Sequence, residues 1–232
     1  IVPCFNESAN IDTLLISIDE VVKRRPDIEI IFVNNGSTDS TAEAFKSSLR
    51  KLNLPQCRYV EVRRNIGYGH GILTGLSQAR GAYLAWTHGD LQTNPMDVVN
   101  AFEYYFHDLS SKNIIVKGRR ERRRWVDMIF TYGMSIVTWL VLFRKIEDIN
   151  AQPKIFPARF FQNHLRGKGP DDFSLDLFLL LTAQKNGFQI LEFPVEFHKR
   201  LEGLAKGGSG IINRLRLIMS TIGFILRIRF QL

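Results

Sequence analysis

Trp86-Thr-His-Gly-Asp-Leu-Gln-Thr-Asn-Pro95 closes an apolar run that begins at Ala82. Ala82 to Trp86 reads as a short buried strand. Asp90 and Gln92, two oxygen ligands at i and i+2, follow it at once, and Pro95 opens a helix. An acid and an amide at the carboxyl end of a buried strand stand where open α/β sheets place their ligands. Hard oxygen donors suit Mg²⁺ or Mn²⁺, ions that usually also hold substrate phosphates. The plainer alternative is a helix start, because Asp or Asn ahead of Pro commonly serves as an N-cap.

The flanking sequence repeats the strand-then-helix pattern. Ile1 to Phe5 is short and apolar and ends at Asn6-Glu7. Leu14, Leu15, Ile18, Val21 and Val22 then recur at helical spacing up to Pro26. Ile28 to Val33 reads as a second strand, and its unbroken Ile30-Ile-Phe-Val33 run is the signature of a strand buried on both faces in a parallel sheet. Asn34-Asn35-Gly36-Ser37 is a turn, and Asp39 or Ser40 can cap a helix over 41–52. A strand at Arg58 to Val62, a glycine-rich turn, a helix to about Arg80, a helix over 95–108 and a strand over 113–117 complete a doubly wound α/β pattern with right-handed crossovers. Beyond residue 118 the alternation fades. Asp171 to Lys185 reads as a helix with Gly187 as its C-cap, and Ile190 to Phe193 as a strand ended by Pro194.

The chain has 232 residues, 45% of them hydrophobic, enough for one α/β domain with a sizeable core plus an appendage. It begins at Ile1 without Met in the middle of a strand and reads as a trimmed sequence, which leaves a targeting signal open. Cys4 and Cys57 carry no metal spacing. They read as reduced thiols, with a disulfide left open. Much of the net charge of +8 lies in Arg119-Arg-Glu-Arg-Arg-Arg124. A solvated face, a nucleic-acid patch, anionic lipid or a phosphorylated substrate would each suit such a run. Aromatics are not interleaved among these arginines, so nucleic acid is not expected as a partner. Met128 to Phe143 is uncharged over sixteen residues. At about 1.5 Å per residue it spans ~24 Å, short of the ~30 Å of a bilayer core, and reads as a buried or membrane-lying helix. Gly203 to Gly210 is a basic, glycine-rich loop. Ile211 to Leu232 is apolar with arginines near its ends, either an amphipathic interface helix or an ordinary docking helix.

Other motifs fail. Gly67-Tyr-Gly-His-Gly71 has Ile72 where a dinucleotide fingerprint needs its third glycine. His70, His107, His164 and His198 have no metal-ligand spacing, and no nucleophile elbow is present.

Five segments occur in one order: Pro3-Cys-Phe-Asn-Glu7, Val33-Asn-Asn-Gly-Ser37, Asn65-Ile-Gly-Tyr-Gly69, Gly89-Asp-Leu-Gln92, and Arg200 followed by Lys206. The series resembles family 2 glycosyltransferases of the GT-A fold, and most of all their polyprenyl-phosphate branch, the dolichol-phosphate mannose synthase type. The resemblance covers residues 1 to about 207. It implies a GT-A domain over 1–207 with a mostly parallel doubly wound sheet; beyond it, the arginine-flanked apolar pattern reads as amphipathic interface helices at the C-terminus, with 208–232 as a juxtamembrane segment. The resemblance also implies transfer of a hexose from a UDP- or GDP-sugar, with inversion, to a polyprenyl phosphate or lipid-linked glycan. The implied place is the cytoplasmic face of the membrane.

Carried over by residue, the resemblance assigns the donor to Pro3, Phe5, Glu7, Val33, Asn35, His88, Gly89 and Asp90. The metal, Mg²⁺ or Mn²⁺, falls to Asp90 and Gln92, and the phosphates to Arg119, Arg200 and Lys206. Asp90, Arg119 and Asp148 are the expected catalytic set. A leaving nucleoside diphosphate gains negative charge, which a metal and fixed guanidinium groups stabilise. A phosphate acceptor is already an anion and needs cations rather than a base, and the run from Arg119 supplies them.

Three departures stand out. Asn34-Asn35 replaces Asp-Asp. His88 replaces the first acid of Asp-x-Asp, which removes a negative charge and implies weaker metal binding or a preference for Mn²⁺. Phe5 replaces Tyr. Glu147-Asp-Ile-Asn-Ala-Gln-Pro-Lys154 aligns with the family's Asp-x-Thr-Gly-Gly-Phe-Arg region, so Glu147 or Asp148 is either a general base for an alcohol acceptor or a plain surface acid. Two alternatives therefore accompany the main expectation: a peripheral transferase extending a surface polysaccharide, and an inactive homologue that only binds nucleotide sugars.

Overall fold

The computed structural model describes residues 1–121 and 147–198, with Gly223 alone beyond them. Arg122 to Arg124, the apolar stretch 128–143, Arg200, Lys206, the loop 203–210 and the helix expected over 211–232 lie outside the described residues.

The first three strands, β1 (Val2–Cys4), β2 (Ile30–Asn35) and β3 (Cys57–Val62), pair in parallel in the order β1-β2-β3. Every residue of β2 is buried, as its continuous apolar run requires of a central parallel strand. α1 (Ile11–Arg24) buries Leu14, Leu15, Ile18, Val21 and Val22 on one stripe. It ends where Arg25, the residue before Pro26, turns to φ −132° and ψ 82°. α2 (Thr41–Leu52) ends on Asn53 in the left-handed region, a residue type that tolerates it. α3 (Tyr68–Gln78) leads into β4 (Tyr83–Trp86).

β4 opens a second sheet of order β4-β6-β5-β7, where β5 is Ile114–Glu121, β6 is Lys154–Pro157 and β7 is Gln189–Glu196. The two sheets abut: the Ile1 amino group donates to Ala85 O at 2.7 Å and Thr87 N to Ile1 O at 3.1 Å, the pattern of a parallel pair. β1, β2, β4, β5 and β7 therefore run the same way, and their carboxyl ends share one edge.

β6 is antiparallel to both neighbours. The sequence pattern does not show it, because the strand is four residues long, opens on a lysine and closes on a proline. Other bounds move for tertiary reasons. β7 passes through Pro194 instead of ending there, since an edge strand tolerates a missing N–H. The helix expected over 95–108 breaks at Tyr105 into α4 (Met96–Tyr104) and α5 (Phe106–Ser111), and the Tyr105 hydroxyl donates to Glu192 O at 2.9 Å. α6 (Leu175–Lys185) starts four residues late, because Pro170 to Asp172 pack as a turn against α3's first residues. Added Cβ atoms at Gly67 and Gly69 would stand 2.1 Å and 2.3 Å from the carbonyls of Asp171 and Pro170. These glycines therefore serve a chain crossing.

Both cysteines are free thiols. Among the described residues no helix is long and apolar enough to cross a membrane.

Candidate active site

The shared carboxyl edge gathers the turn after β4, the ends of β1 and β2, and the ends of β5 and β7. The β4 turn is built by close packing. A Cβ at Gly89 would lie 2.5 Å from Cys4 Sγ and 3.1 Å from Pro3 O, so only glycine lets the turn settle on the end of β1. Asp90 is buried, and its Oδ1 accepts the Gln92 amide at 3.1 Å, with Leu91 between them at φ 56°. Asn94, not Asp90, opens α4: its Oδ1 accepts the Met96 amide at 2.9 Å. The N-cap alternative thus passes to Asn94. Gln92 is tied to the end of β7, where His198 N donates to Gln92 O at 2.8 Å and Gln92 Nε2 reaches His198 O at 3.4 Å.

His88 is half-buried beside Tyr68, with ring centroids 5.9 Å apart. Burial pushes its pKa below the usual imidazole value, against the opposing pull of Asp90 and Asp176, so it is neutral at pH 7. Among the described residues no cluster of three or more His, Cys, Asp and Glu side chains gathers to hold a metal. The donors present are one carboxylate, one amide and one neutral imidazole. That set suits a divalent ion sharing its shell with ligand phosphates, not an all-protein cage.

The β2 end separates two adjacent amides. Asn34 is fully engaged: its Nδ2 donates to the Tyr59 hydroxyl at 2.9 Å and its Oδ1 accepts Ser37 N at 3.1 Å. Asn35 donates through Nδ2 to Gly67 O at 2.9 Å, while its buried Oδ1 has no partner among the described residues. An orphaned acceptor of this kind suits an N–H donor such as a pyrimidine or purine ring imide. Glu7, beyond β1, is buried and accepts Asn10 Nδ2 at 2.7 Å. Asn6, Ser37 and Thr38 lace the β1 and β2 ends together. Pro3 and Phe5 flank this seam. Val33 lies in the core, its Cγ2 2.8 Å from where a Cβ on Gly75 would stand.

The expected cation Arg119 is half exposed and pairs with Glu121 at 3.0 Å and Glu192 at 3.7 Å. Successive strand residues point to opposite faces. Arg120 accordingly takes a different partner, Asp148: its backbone N donates to Oδ2 at 2.9 Å, its Nε to Oδ1 at 2.9 Å, and its Nη2 also bonds Oδ1. The Arg120 guanidinium also lies 5.0 Å from the Phe197 ring centroid. Arg120, with Asp90, Asp176 and Lys154, is among the charges that act on His88. Asp148 is thus a buried ion-pair partner, held at φ 45°. That engagement gives it the geometry of a brace for Arg120, not of an open base.

Sequence reasoning gave no individual role to Arg120, which it counted only within the run from Arg119 to Arg124, or to Tyr68, Gln152, Lys154 and Asp176. A signal existed for one of them, since Asp176 is a lone charge within the apolar run Leu175 to Leu181. The others show only when the strands are paired.

A family model described as glycosyl transferase family 2 matches residues 1–165. A dolichyl-phosphate beta-glucosyltransferase of Dictyostelium discoideum is 26% identical over 216 residues, 85% of this chain and 65% of that protein. A dodecaprenyl-phosphate galacturonate synthase of Rhizobium johnstonii is 26% identical over 231 residues, 98% of this chain and 66% of that one. The chain therefore spans just under two thirds of the length of these relatives. Among solved structures, glucosyl-3-phosphoglycerate synthase from Mycobacterium tuberculosis with Mn²⁺, UDP and phosphoglyceric acid superposes with a TM-score of 0.72 at 16% identity, covering 98% of this chain and 76% of that one. A mannosyltransferase from Pyrobaculum calidifontis with GDP-Man and Mn²⁺ gives 0.69 at 19% identity, covering 97% and 63%. The fold is that of GT-A glycosyltransferases, and with the family model matched from β1 to Leu165, this chain belongs to glycosyl transferase family 2.

Proposed function

We propose that the chain is the catalytic part of a nucleotide-sugar-dependent glycosyltransferase that moves a hexose, with inversion, onto a polyprenyl phosphate at the cytoplasmic membrane face. The observation that carries this reading is the meeting, on one sheet edge, of the Asp90–Gln92 turn, the orphaned Asn35 acceptor and the Arg120 cation. Asn35 Oδ1 accepts from the base, with Pro3, Phe5 and Glu7 forming the neighbouring wall. Asp90 and Gln92, with His88 beside them, hold a divalent ion against the diphosphate. A bound metal supplies charge neutralisation to the leaving nucleoside diphosphate. Arg120 faces the phosphates; Arg200 and Lys206, which the resemblance assigns to the same phosphates, lie outside the described residues.

The acceptor assignment draws on three supports. Curated relatives named for dolichyl-phosphate and dodecaprenyl-phosphate substrates match along most of the chain. Asp148 is occupied by Arg120, which suits an acceptor that arrives as an anion and needs no deprotonation. The chain's +8 charge suits an anionic lipid surface. Incubation with labelled UDP- and GDP-hexoses and undecaprenyl or dolichyl phosphate, with Mn²⁺, tests the reading. Label in the lipid phase is the expected result, and its absence with every common donor refutes it.

A further inference from the structure

Four polar side chains run from the middle of the second sheet to the metal-binding turn, and none of them is assigned to ligand above. Lys154 is fully buried and lies opposite Trp86, the last residue of β4. Its Nζ donates to Ile149 O at 2.9 Å and Ala151 O at 2.6 Å and pairs with Asp176 at 2.9 Å. Asp176 Oδ1 also accepts Gln152 Nε2 at 2.9 Å, and the same Nε2 reaches the Tyr68 hydroxyl at 3.2 Å. Tyr68 opens α3. Its ring stacks on Phe173 with centroids 4.8 Å apart and planes 7° apart, and the His88 ring rests beside it.

A buried ion pair is a poor device for stability, because apolar side chains of similar volume serve as well or better. What this chain of contacts supplies is direction. The pair fixes the amide of Gln152, the amide fixes the hydroxyl, and the hydroxyl fixes the angle of the ring. The ring angle matters because of its neighbour. His88 stands where the family resemblance places an acid, and neither of its ring nitrogens is hydrogen-bonded among the described residues. A neutral imidazole that must meet a metal in one orientation needs a wall or a second hydrogen bond to hold it.

We propose that Tyr68 is a positioning residue for the metal-binding turn, acting through His88, with Gln152 and the Lys154–Asp176 pair setting its orientation. The proposal rests on the reading of Asp90 and Gln92 as the metal-binding pair. Tyr68→Phe keeps the ring and removes the hydroxyl. Calorimetric titration of the full chain with Mn²⁺, in the presence of UDP or GDP, reads the effect. Loss of one neutral hydrogen bond's worth of orientation predicts Mn²⁺ affinity about fivefold weaker, with the metal-free melting temperature within a few degrees of the parent. In a His88→Ala background the same substitution is expected to change Mn²⁺ affinity by less than about twofold, since the group it positions is gone. Unchanged Mn²⁺ affinity in Tyr68→Phe, or an equal loss in both backgrounds, overturns the proposal while leaving the nucleotide-sugar reading intact. If the parent chain itself shows no Mn²⁺-dependent binding of UDP or GDP, that reading and this proposal fall together.

Discussion

Gly89→Ala tests the construction of the turn without altering the Asp90 or Gln92 side chain. The added Cβ would stand 2.5 Å from Cys4 Sγ, about 1 Å inside the separation of ~3.5–4.0 Å at which non-bonded heavy atoms rest, and 3.1 Å from Pro3 O. Cys4 is fully buried in β1 and cannot move aside cheaply. The turn must therefore lift off the strand by roughly 1 Å, carrying Asp90 and Gln92 with it. Overpacking of this kind costs about 1–3 kcal/mol. For a chain of this size each kcal/mol lowers the melting temperature by about 2–4 °C. Displacement of a positioned group by ~1 Å costs on the order of 100-fold in rate, so transfer is expected to fall far more than stability. Thermal melting and the labelled-lipid assay, run on the same preparation, separate the two. Cys4→Ala in the Gly89→Ala background removes the nearer of the two obstructing atoms and is expected to restore part of the activity. A Gly89→Ala protein with parental turnover and melting temperature would refute the idea that contact with β1 sets the position of Asp90.

Three further expectations follow from the geometry. Arg120→Ala strands the buried Asp148 carboxylate and should cost about 3–5 kcal/mol in urea unfolding; Arg119→Ala removes a half-exposed pair and should cost ~1 kcal/mol or less. On the proposed reading, in which the orphaned Asn35 acceptor meets the base, Asn35→Ala should weaken UDP or GDP binding about tenfold in calorimetry while leaving the Mn²⁺ requirement unchanged. Burial raises the pKa of Asp97 from 3.8 to about 6, in spite of the Asn94 backbone contact that lowers it. A carboxyl whose folded pKa is raised destabilises the fold as pH climbs from about 4 to about 6 and then by a constant amount. Asp97→Asn should accordingly melt above the parent at pH 7, with the difference vanishing near pH 4.

Most of what the local pattern can express was legible in the sequence. The unbroken run through Ile31, Phe32 and Val33 demanded a strand covered on both sides. The heptad-like stripe from Leu14 to Val22 demanded a helix, and Pro26 demanded its end. The ordered motifs around Glu7, Asp90 and Gln92 placed those residues on turns after strands, because each lies just beyond an apolar run; Asn34 and Asn35, read as a turn, instead close β2 itself. These are statements about near neighbours along the chain, and near neighbours are what a sequence displays.

The tertiary structure decided the rest. Whether Arg119 or Arg120 meets Asp148 depends on the phase of a period-two strand against a partner 28 residues away, and motif alignment is blind to that phase. That Asn35 keeps an unpartnered oxygen among the described residues while Asn34 is satisfied depends on Tyr59 in β3 and on Gly67 just ahead of α3. β6 exists because the gap between β4 and β5 offers backbone partners to a four-residue segment with no pattern of its own. Lys154 and Asp176 become a pair only once that strand is in place. Pairing across the sheet is a long-range choice, made by hydrogen-bond satisfaction and burial over the whole domain, and no window of the sequence contains it.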